Sequence, residues 1–308
     1  MTIAYHIPVL VGRVVESVNA ASALTVVDAT LGDAGYTMAL LREMPGEGRV
    51  IAIDQDTMAI ARAQERLGSL KTRVTIVQEN FGNLSTILKN LNVDKVNAVV
   101  ADLGVSRLQI SDPERGFMYM QNGPLRMTMN VQSGYDAEQL VNDGEREELI
   151  TILREYGEER LARRIVDALI RRRQKERIVT TEQFRTVIQS VVGRKFEIKS
   201  FARCFQAIRI AVNKELDSLQ AFLPAAVDAL VPGGRLVVVS YHSLEDRIVK
   251  QFMRKMADPC DCPKDLPVCV CGKTPVVKVT GKPVFADDKE IESNPSARSA
   301  VMRTSEKL

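Results

Sequence analysis

Residues 24–44, LTVVDATLGDAGYTMALLREM, decide the architecture. LTVVDAT reads as an apolar buried strand ending in an acidic residue, LGDAGYT as a glycine-containing turn, and TMALLREM as the opening of an amphipathic helix. The pattern repeats about twenty residues on. GRVIAIDQD is a second apolar strand with Asp54 at its carboxyl end, and a helix follows over Thr57–Leu67. Two successive βα units imply a parallel sheet. RVTIVQENF and VNAVVADLG add third and fourth strands, the latter ending in Asp102, with a helix over 83–91 between them. Residues 1–104 are thus expected to form the first half of a doubly wound, Rossmann-like α/β domain.

After Gly104 the alternation stops. Residues 105–135 are rich in turns and methionine, and 137–200 read as successive helices: AEQLVND, REELITILREYG, EERLARRIVDALIRRRQKER and TEQFRTVIQSVVG. A helical insertion over 105–203 is the economical reading. The α/β pattern is expected to resume over 204–308, with one helix FQAIRIAVNKELDSLQAFLPAAVDAL and the strand of VPGGRLVVVSYHS. A loop-rich appendage over 252–293 and the final strand VMRTSEKL complete it.

Composition narrows the function classes. With 308 residues, 45% hydrophobic and 26% charged, the chain matches a globular protein rather than a disordered or fibrous one. It has neither a long apolar run nor a secretory start, so a cytoplasmic protein with no membrane partner is expected. The formal charge of +3 is too slight to imply a polyanion, but its distribution is uneven: residues 160–177, RLARRIVDALIRRRQKER, crowd arginine onto one helix. Such a run serves either as a solvated face or as a set of phosphate contacts from Arg160, Arg163, Arg164, Arg171, Arg172 and Arg173.

The turn after the first strand carries the chemistry. Gly32 and Gly35 let the backbone turn sharply and approach a ligand, and Asp28 closes the strand with a carboxylate. The spacing is neither GxGxxG nor GxxxxGK[ST], so a phosphate cradle is not expected. Asp54, on the second strand about twenty residues on, suits a ribose diol. A nucleoside cofactor with little phosphate chemistry points to S-adenosylmethionine.

Further blocks lie in order along the chain: HIPVL (6–10), DATLG, AIDQD, DLGVS with Gln109, ERGF and GPL, YGEER, FQAIRI with Asn213 and Glu215, SYHSLEDRIVK and NPSARSA. Together they resemble the MraW family of ribosomal RNA methyltransferases, GFMYMQNGPL, FQAIRI and HSLEDR being the most specific. The resemblance implies a class I methyltransferase fold with a helical insertion. It also implies methylation of N4 of cytidine 1402 in the 16S RNA of the small ribosomal subunit. Carried over position by position, cofactor contacts fall on Ala34, Gly35, Tyr36, Asp54, Phe81, Asp102 and Gln109, with Asp102 facing the methyl-transfer cleft. His6 falls in the N-terminal segment as a structural anchor. His242, in the rim segment 241–246, joins Arg126 and Asn130 as substrate-side candidates.

Two blocks depart from the family pattern. DATxGxGGHS is met here with Asp33, Ala34 and Tyr36, and GPLDMRMD is replaced by GPLRMTMN, in which Arg126, Thr128 and Asn130 take the place of two carboxylates and an arginine. That loss keeps an alternative open: a paralogue that binds RNA or ribosome precursors with weak or altered methyl transfer. Cys204 reads as a small buried hydrophobe within a helix. Cys260, Cys262, Cys269 and Cys271 form CxC-x6-CxC, tighter than the CxxC pairs of ordinary zinc sites, so no metal is expected as the default. Reduced thiols, a zinc site and a disulfide all stay open there.

Overall fold

The strand and helix alternation of the first hundred residues is realised in the computed structural model, which describes residues 7–263 and 270–308. The chain divides into two units, Met1–Gly104 with Leu216–Leu308, and Val105–Glu215. The first half of the α/β unit runs α1 (Val11–Val18), β1 (Thr25–Asp28), α2 (Gly35–Glu43), β2 (Arg49–Asp54), α3 (Thr57–Leu67), β3 (Val74–Gln78), α4 (Leu84–Asn90) and β4 (Val96–Asp102).

The inserted unit is helical: α5 (Arg107–Ser111), α6 (Ala137–Asp143), α7 (Arg146–Glu155), α8 (Ala162–Arg173), α9 (Thr181–Val192) and α10 (Glu197–Asn213). It has its own core, in which Leu125, Met127, Leu149, Leu153, Ile165, Leu169 and Phe184 are fully enclosed. The Phe184 and Phe205 rings lie 5.3 Å apart. Its helices start where capping residues satisfy the first amides: Asp136 for α6 and Thr180 for α9 each form a capping box with the glutamine three positions on.

The α/β unit resumes with α11 (Glu215–Ala229), β5 (Leu230–Ser240), α12 (Ser243–Ala257), β6 (Val277–Val279), β7 (Val284–Phe285), α13 (Asp288–Ser293) and β8 (Val301–Lys307). The sheet order is β3-β2-β1-β4-β5-β8-β6, with β7 pairing β8. β1 to β5 are mutually parallel, and β8 runs antiparallel to β5, β6 and β7. This is a Rossmann-like, mostly parallel sheet, with β8 reversed.

Both faces are covered, as continuous apolar strands require. Val26, Ala52, Val100 and Val239 pack on one side with α1 and α2, while Val27, Ile53, Val99 and Val238 pack on the other with α4, α11 and α12.

Three expectations are corrected. The continuous helical pattern of 205–230 is broken at Lys214, which takes a left-handed conformation (φ 49°), so residues 204–213 complete α10. The boundary expected at 203 therefore lies inside a helix, and the inserted unit extends to Glu215. Pro232, Gly233 and Gly234 sit inside β5 rather than before it, accommodated by a register shift opposite Val96 and Ala98. The appendage expected over 252–293 contains the end of α12, β6, β7 and α13. His6 and Cys269 lie outside the described residues.

Candidate active site

A parallel sheet offers a ligand crevice at the carboxyl ends of its strands where the strand order reverses. In this α/β unit the reversal falls between β1 and β4, and three aspartates stand there.

Asp28 is fully buried and its carboxylate is used locally: Oδ2 accepts from Thr37 Oγ1 at 2.6 Å and Oδ1 from the Thr30 amide at 3.3 Å. Burial raises its pKa, and it braces the β1 turn. Asp54 Oδ2 accepts from the Gly32 amide at 2.8 Å and Oδ1 from the Asp56 amide at 2.9 Å. Burial pushes its pKa up to about 6, against these two amides. Asp102 donates its amide to Thr30 Oγ1 at 2.7 Å, and its Oδ1 accepts from Tyr241 Oη at 2.8 Å. Burial lifts its pKa to about 7, with Asp28 and Glu245 adding to the rise and the Tyr241 hydrogen bond opposing it.

The connecting turn is held from several directions. Gly32 and Ala34 are both left-handed (φ 49° and 61°), a conformation an alanine adopts only when its surroundings enforce it. Asp33 pairs with Arg62 through two bonds of 2.9 and 3.2 Å, and its carbonyl accepts from Arg66 at 2.7 Å. At Gly35 a Cβ would come within 2.9 Å of Pro8, so this glycine makes room for the N-terminal segment. Tyr36 is buried and donates its hydroxyl to the Val9 carbonyl. What Ala34, Gly35 and Tyr36 offer a ligand is accordingly main chain.

Phe81, half-buried after β3, meets Phe222 edge to face at 5.2 Å. His242 caps α12: its Nδ1 accepts from the Glu245 amide at 3.4 Å, and Glu245 Oε2 accepts from the amides of Tyr241 (3.0 Å) and His242 (3.4 Å). Sequence reasoning gave no role to Thr30 and placed Tyr241 and Glu245 only in the rim segment 241–246. Thr30 and Tyr241 each follow the carboxyl end of a strand, β1 and β5, which is the signal that marks them.

The sequence profile of the MraW methylase family matches residues 3–308. This chain belongs to the MraW methylase family. A protein of Heliobacterium modesticaldum named ribosomal RNA small subunit methyltransferase H is 42% identical over 309 aligned residues, covering 99% of both chains. One of the same name from Carboxydothermus hydrogenoformans is 44% identical, covering 98% of both. Among solved structures, an rRNA methylase from Streptococcus thermophilus covers 97% of this chain and 93% of its own at 13% identity, with a TM-score of 0.42.

The MraW methylases use S-adenosylmethionine, and the residues of the α/β unit fit that group. A Cβ built on Gly32 meets nothing within 4 Å, so there is space beside the Asp54 carboxylate, whose oxygens keep lone pairs beyond those bonded to Gly32 and Asp56. Asp54 and Asp102 carry raised pKa values, which marks a site short of positive charge. A sulfonium and an ammonium supply that charge.

The MraW insertion places its predicted residues differently. Gln109 is buried and closes a capping box with Ser106, its side chain accepting from the Ser106 amide at 2.9 Å. Arg126 is exposed, whereas Asn130 turns back to accept from the Gln132 amide at 2.9 Å. The backbone of 127–129 is fixed from elsewhere. Asn213 accepts from the Met129 amide and donates to the Met127 carbonyl, both at 2.7 Å, and Arg115 donates to the carbonyls of Thr128 and Met129.

The arginine triplet separates. Arg173 donates to the carbonyls of Val141 and Gly144, and Arg172 pairs with Glu176 at 2.6 Å. Arg171 is exposed, as are Arg160, Arg163 and Arg164. Among the described residues no helix is long and apolar enough to cross a membrane.

Proposed function

We propose that this methylase transfers the methyl group of S-adenosylmethionine to N4 of cytidine 1402 in 16S rRNA, acting on the small ribosomal subunit in the cytoplasm. The observation that carries this reading is the pair Asp54 and Asp102 at the strand-order reversal, both held by main-chain or hydroxyl partners that leave acceptor capacity. When bound, the donor supplies an electrophilic methyl group on a cationic sulfur.

Asp54 accepts hydrogen bonds from the ribose hydroxyls, and Phe81 offers its ring to the adenine. Asp102 takes the decisive part. Tyr241 engages its Oδ1, leaving Oδ2 to accept from the cytosine amine and to take the proton that N4 loses as the new carbon–nitrogen bond forms. A pKa near 7 suits that exchange at neutral pH. No covalent nucleophile is needed, since attack in line on a methyl carbon asks chiefly for orientation. Arg160, Arg163, Arg164 and Arg171 are the exposed cations with which the insertion holds phosphates. A binding-only paralogue would have no use for the supported acids at the strand ends, which disfavours that alternative.

The test is methylation of small subunits that lack the modification, read as N4-methylcytidine by nucleoside mass spectrometry. Product that depends on the protein and on Asp102 is expected. Absence of product on both assembled subunits and naked 16S RNA overturns the reading.

A further inference from the structure

Outside the strand-end site, the segment between α12 and β6 brings together sulfur atoms that the methyl-transfer reading leaves unused. Cys260, Cys262 and Cys271 hold their Sγ atoms within 4.8 Å of one another, and Cys260 and Cys271, eleven residues apart, approach to 3.9 Å. A disulfide needs about 2.05 Å, so that pair is spaced well beyond a covalent bond. Four-coordinate zinc with Zn–S bonds of about 2.3 Å places its sulfur ligands about 3.8 Å apart along each tetrahedral edge. The observed separation matches that edge.

We infer that Cys260, Cys262 and Cys271 supply three of the four ligands of a zinc site that staples the loop between α12 and β6. The donor set is soft and, as thiolates, anionic, which selects zinc over the hard cations magnesium and calcium. The CxC spacing does not prevent it, because Cys260 and Cys262 of one CxC motif already hold their sulfurs within 4.8 Å of each other and of Cys271 from the far end of the loop. Lys273, two residues after Cys271, pairs with Asp261, the residue between Cys260 and Cys262. That cation offsets part of the charge three thiolates bring.

The loop has reason to need a staple. Its base is closed by the Val276 amide donating to the Met256 carbonyl at 2.9 Å, and the Asp261–Lys273 ion pair crosses it, but Val270 is 78% exposed. Between Asp258 and Val276 the described residues contribute no helix or strand.

Position argues for a structural role. α12 starts at the carboxyl end of β5 and carries the chain 15 residues, about 22 Å, away from it. β6 then pairs with the end of β8, where Glu306 stands opposite Arg235, the β5 residue of that pairing farthest from the strand's carboxyl end. The sulfur cluster therefore belongs to the sheet end remote from Asp54 and Asp102.

The experiment measures metal in the full-length protein, purified under reducing conditions without chelator and after removal of any affinity tag. About one zinc per chain is expected, falling to near zero in Cys260→Ser and Cys271→Ser and unchanged in Cys204→Ala. In wild type, a chromophoric chelator should release the zinc and expose the loop thiols to a thiol reagent together. Cobalt substitution should give thiolate-to-metal charge transfer with the intense visible bands of tetrahedral geometry. S-adenosylmethionine binding should survive both serine substitutions, which reports that they fold. Protein that takes up no zinc while its thiols react at once, that holds iron instead, or that shows a Cys260–Cys271 disulfide on peptide mapping overturns the inference.

Discussion

The strand ends of the α/β unit and the 124–130 segment of the insertion are built in opposite ways. At the end of β2 the backbone holds a side chain: the amides of Gly32 and Asp56 fix the Asp54 carboxylate, so the chemistry resides in the side chain itself. In 124–130 side chains hold the backbone, with Asn213 and Arg115 gripping the main chain of 127–129 from outside. The first arrangement tolerates no change of the displayed residue. The second keeps its frame while Arg126, Thr128 and Asn130 differ from the family's GPLDMRMD, because none of the three side chains supplies those gripping bonds.

The sharpest way to break that contrast is to remove the grip. Asn213→Ala deletes three hydrogen bonds to main-chain groups, those to Met127, Met129 and the Arg209 carbonyl. The two that reach the 127–129 segment, at about 1 kcal/mol each, are together worth about 2 kcal/mol, roughly thirtyfold in local opening. Hydrogen exchange at the Met129 amide should accelerate by that factor, while amides of β1 and β4 keep their protection. Equal acceleration in both regions would show that the segment has no frame of its own.

The complementary substitution is Asp54→Ala. It removes a carboxylate whose charged hydrogen bonds are worth about 1.5–3 kcal/mol, so calorimetric affinity for S-adenosylmethionine should fall roughly ten- to a hundredfold. Hydrogen exchange at Met129 should not change. An unaltered dissociation constant would remove Asp54 from the cofactor site.

These two regions also differ in how far the sequence exposed them. The strands were legible because apolar runs ending in Asp28, Asp54 and Asp102 are a local signal, and local signals are what periodicity reads. The site's supports were not, since Thr30 reaches Asp102 across 72 residues and Tyr241 reaches it across 139. Nothing local reveals either that Pro8 packs on Gly35 or that the Tyr36 hydroxyl is spent on the Val9 carbonyl. The break at Lys214 was hidden for the opposite reason: the helical pattern continues on both sides, and one lysine in a left-handed conformation carries no sequence mark. For the cysteines, spacing along the chain leaves reduced thiols, zinc and a disulfide open, and it is the spacing of Cys260, Cys262 and Cys271 in three dimensions that adds information.

Acidity sharpens the account of the strand ends. Asp54 and Asp102 titrate near 6 and 7 in the ligand-free fold, against 3.8 for an unperturbed aspartate. Their contribution to stability is fully present below pH 3.8 and is lost as pH rises through those values, because burial opposes the charged forms. A cationic donor reverses the preference. Affinity for S-adenosylmethionine should rise with pH between about 5.5 and 7.5, by up to about tenfold per unit where binding requires one ionised carboxylate. S-adenosylhomocysteine, lacking the sulfonium charge, should show the shallower dependence. Identical profiles for the two ligands would separate the acids from the sulfur.

The smallest effects are expected on the α8 surface, where charge acts one contact at a time. Arg173 is tied to the Val141 and Gly144 carbonyls and Arg172 to Glu176, so replacing them perturbs packing as well as charge. Arg163, Arg164 and Arg171 are exposed, and their loss should leave the fold intact. If they hold phosphates, each arginine replaced by alanine lowers the slope of log affinity against log salt by about one unit. Binding of naked 16S RNA should therefore weaken most at low salt in the triple variant, with the curves converging as salt rises. Arg173→Ala should instead lower thermal stability while leaving the salt slope nearly unchanged. A triple variant with wild-type slope and affinity would mean that this face is merely solvated and that the RNA is held elsewhere on the insertion, for which exposed Arg126 and Arg160 are the next positions to change.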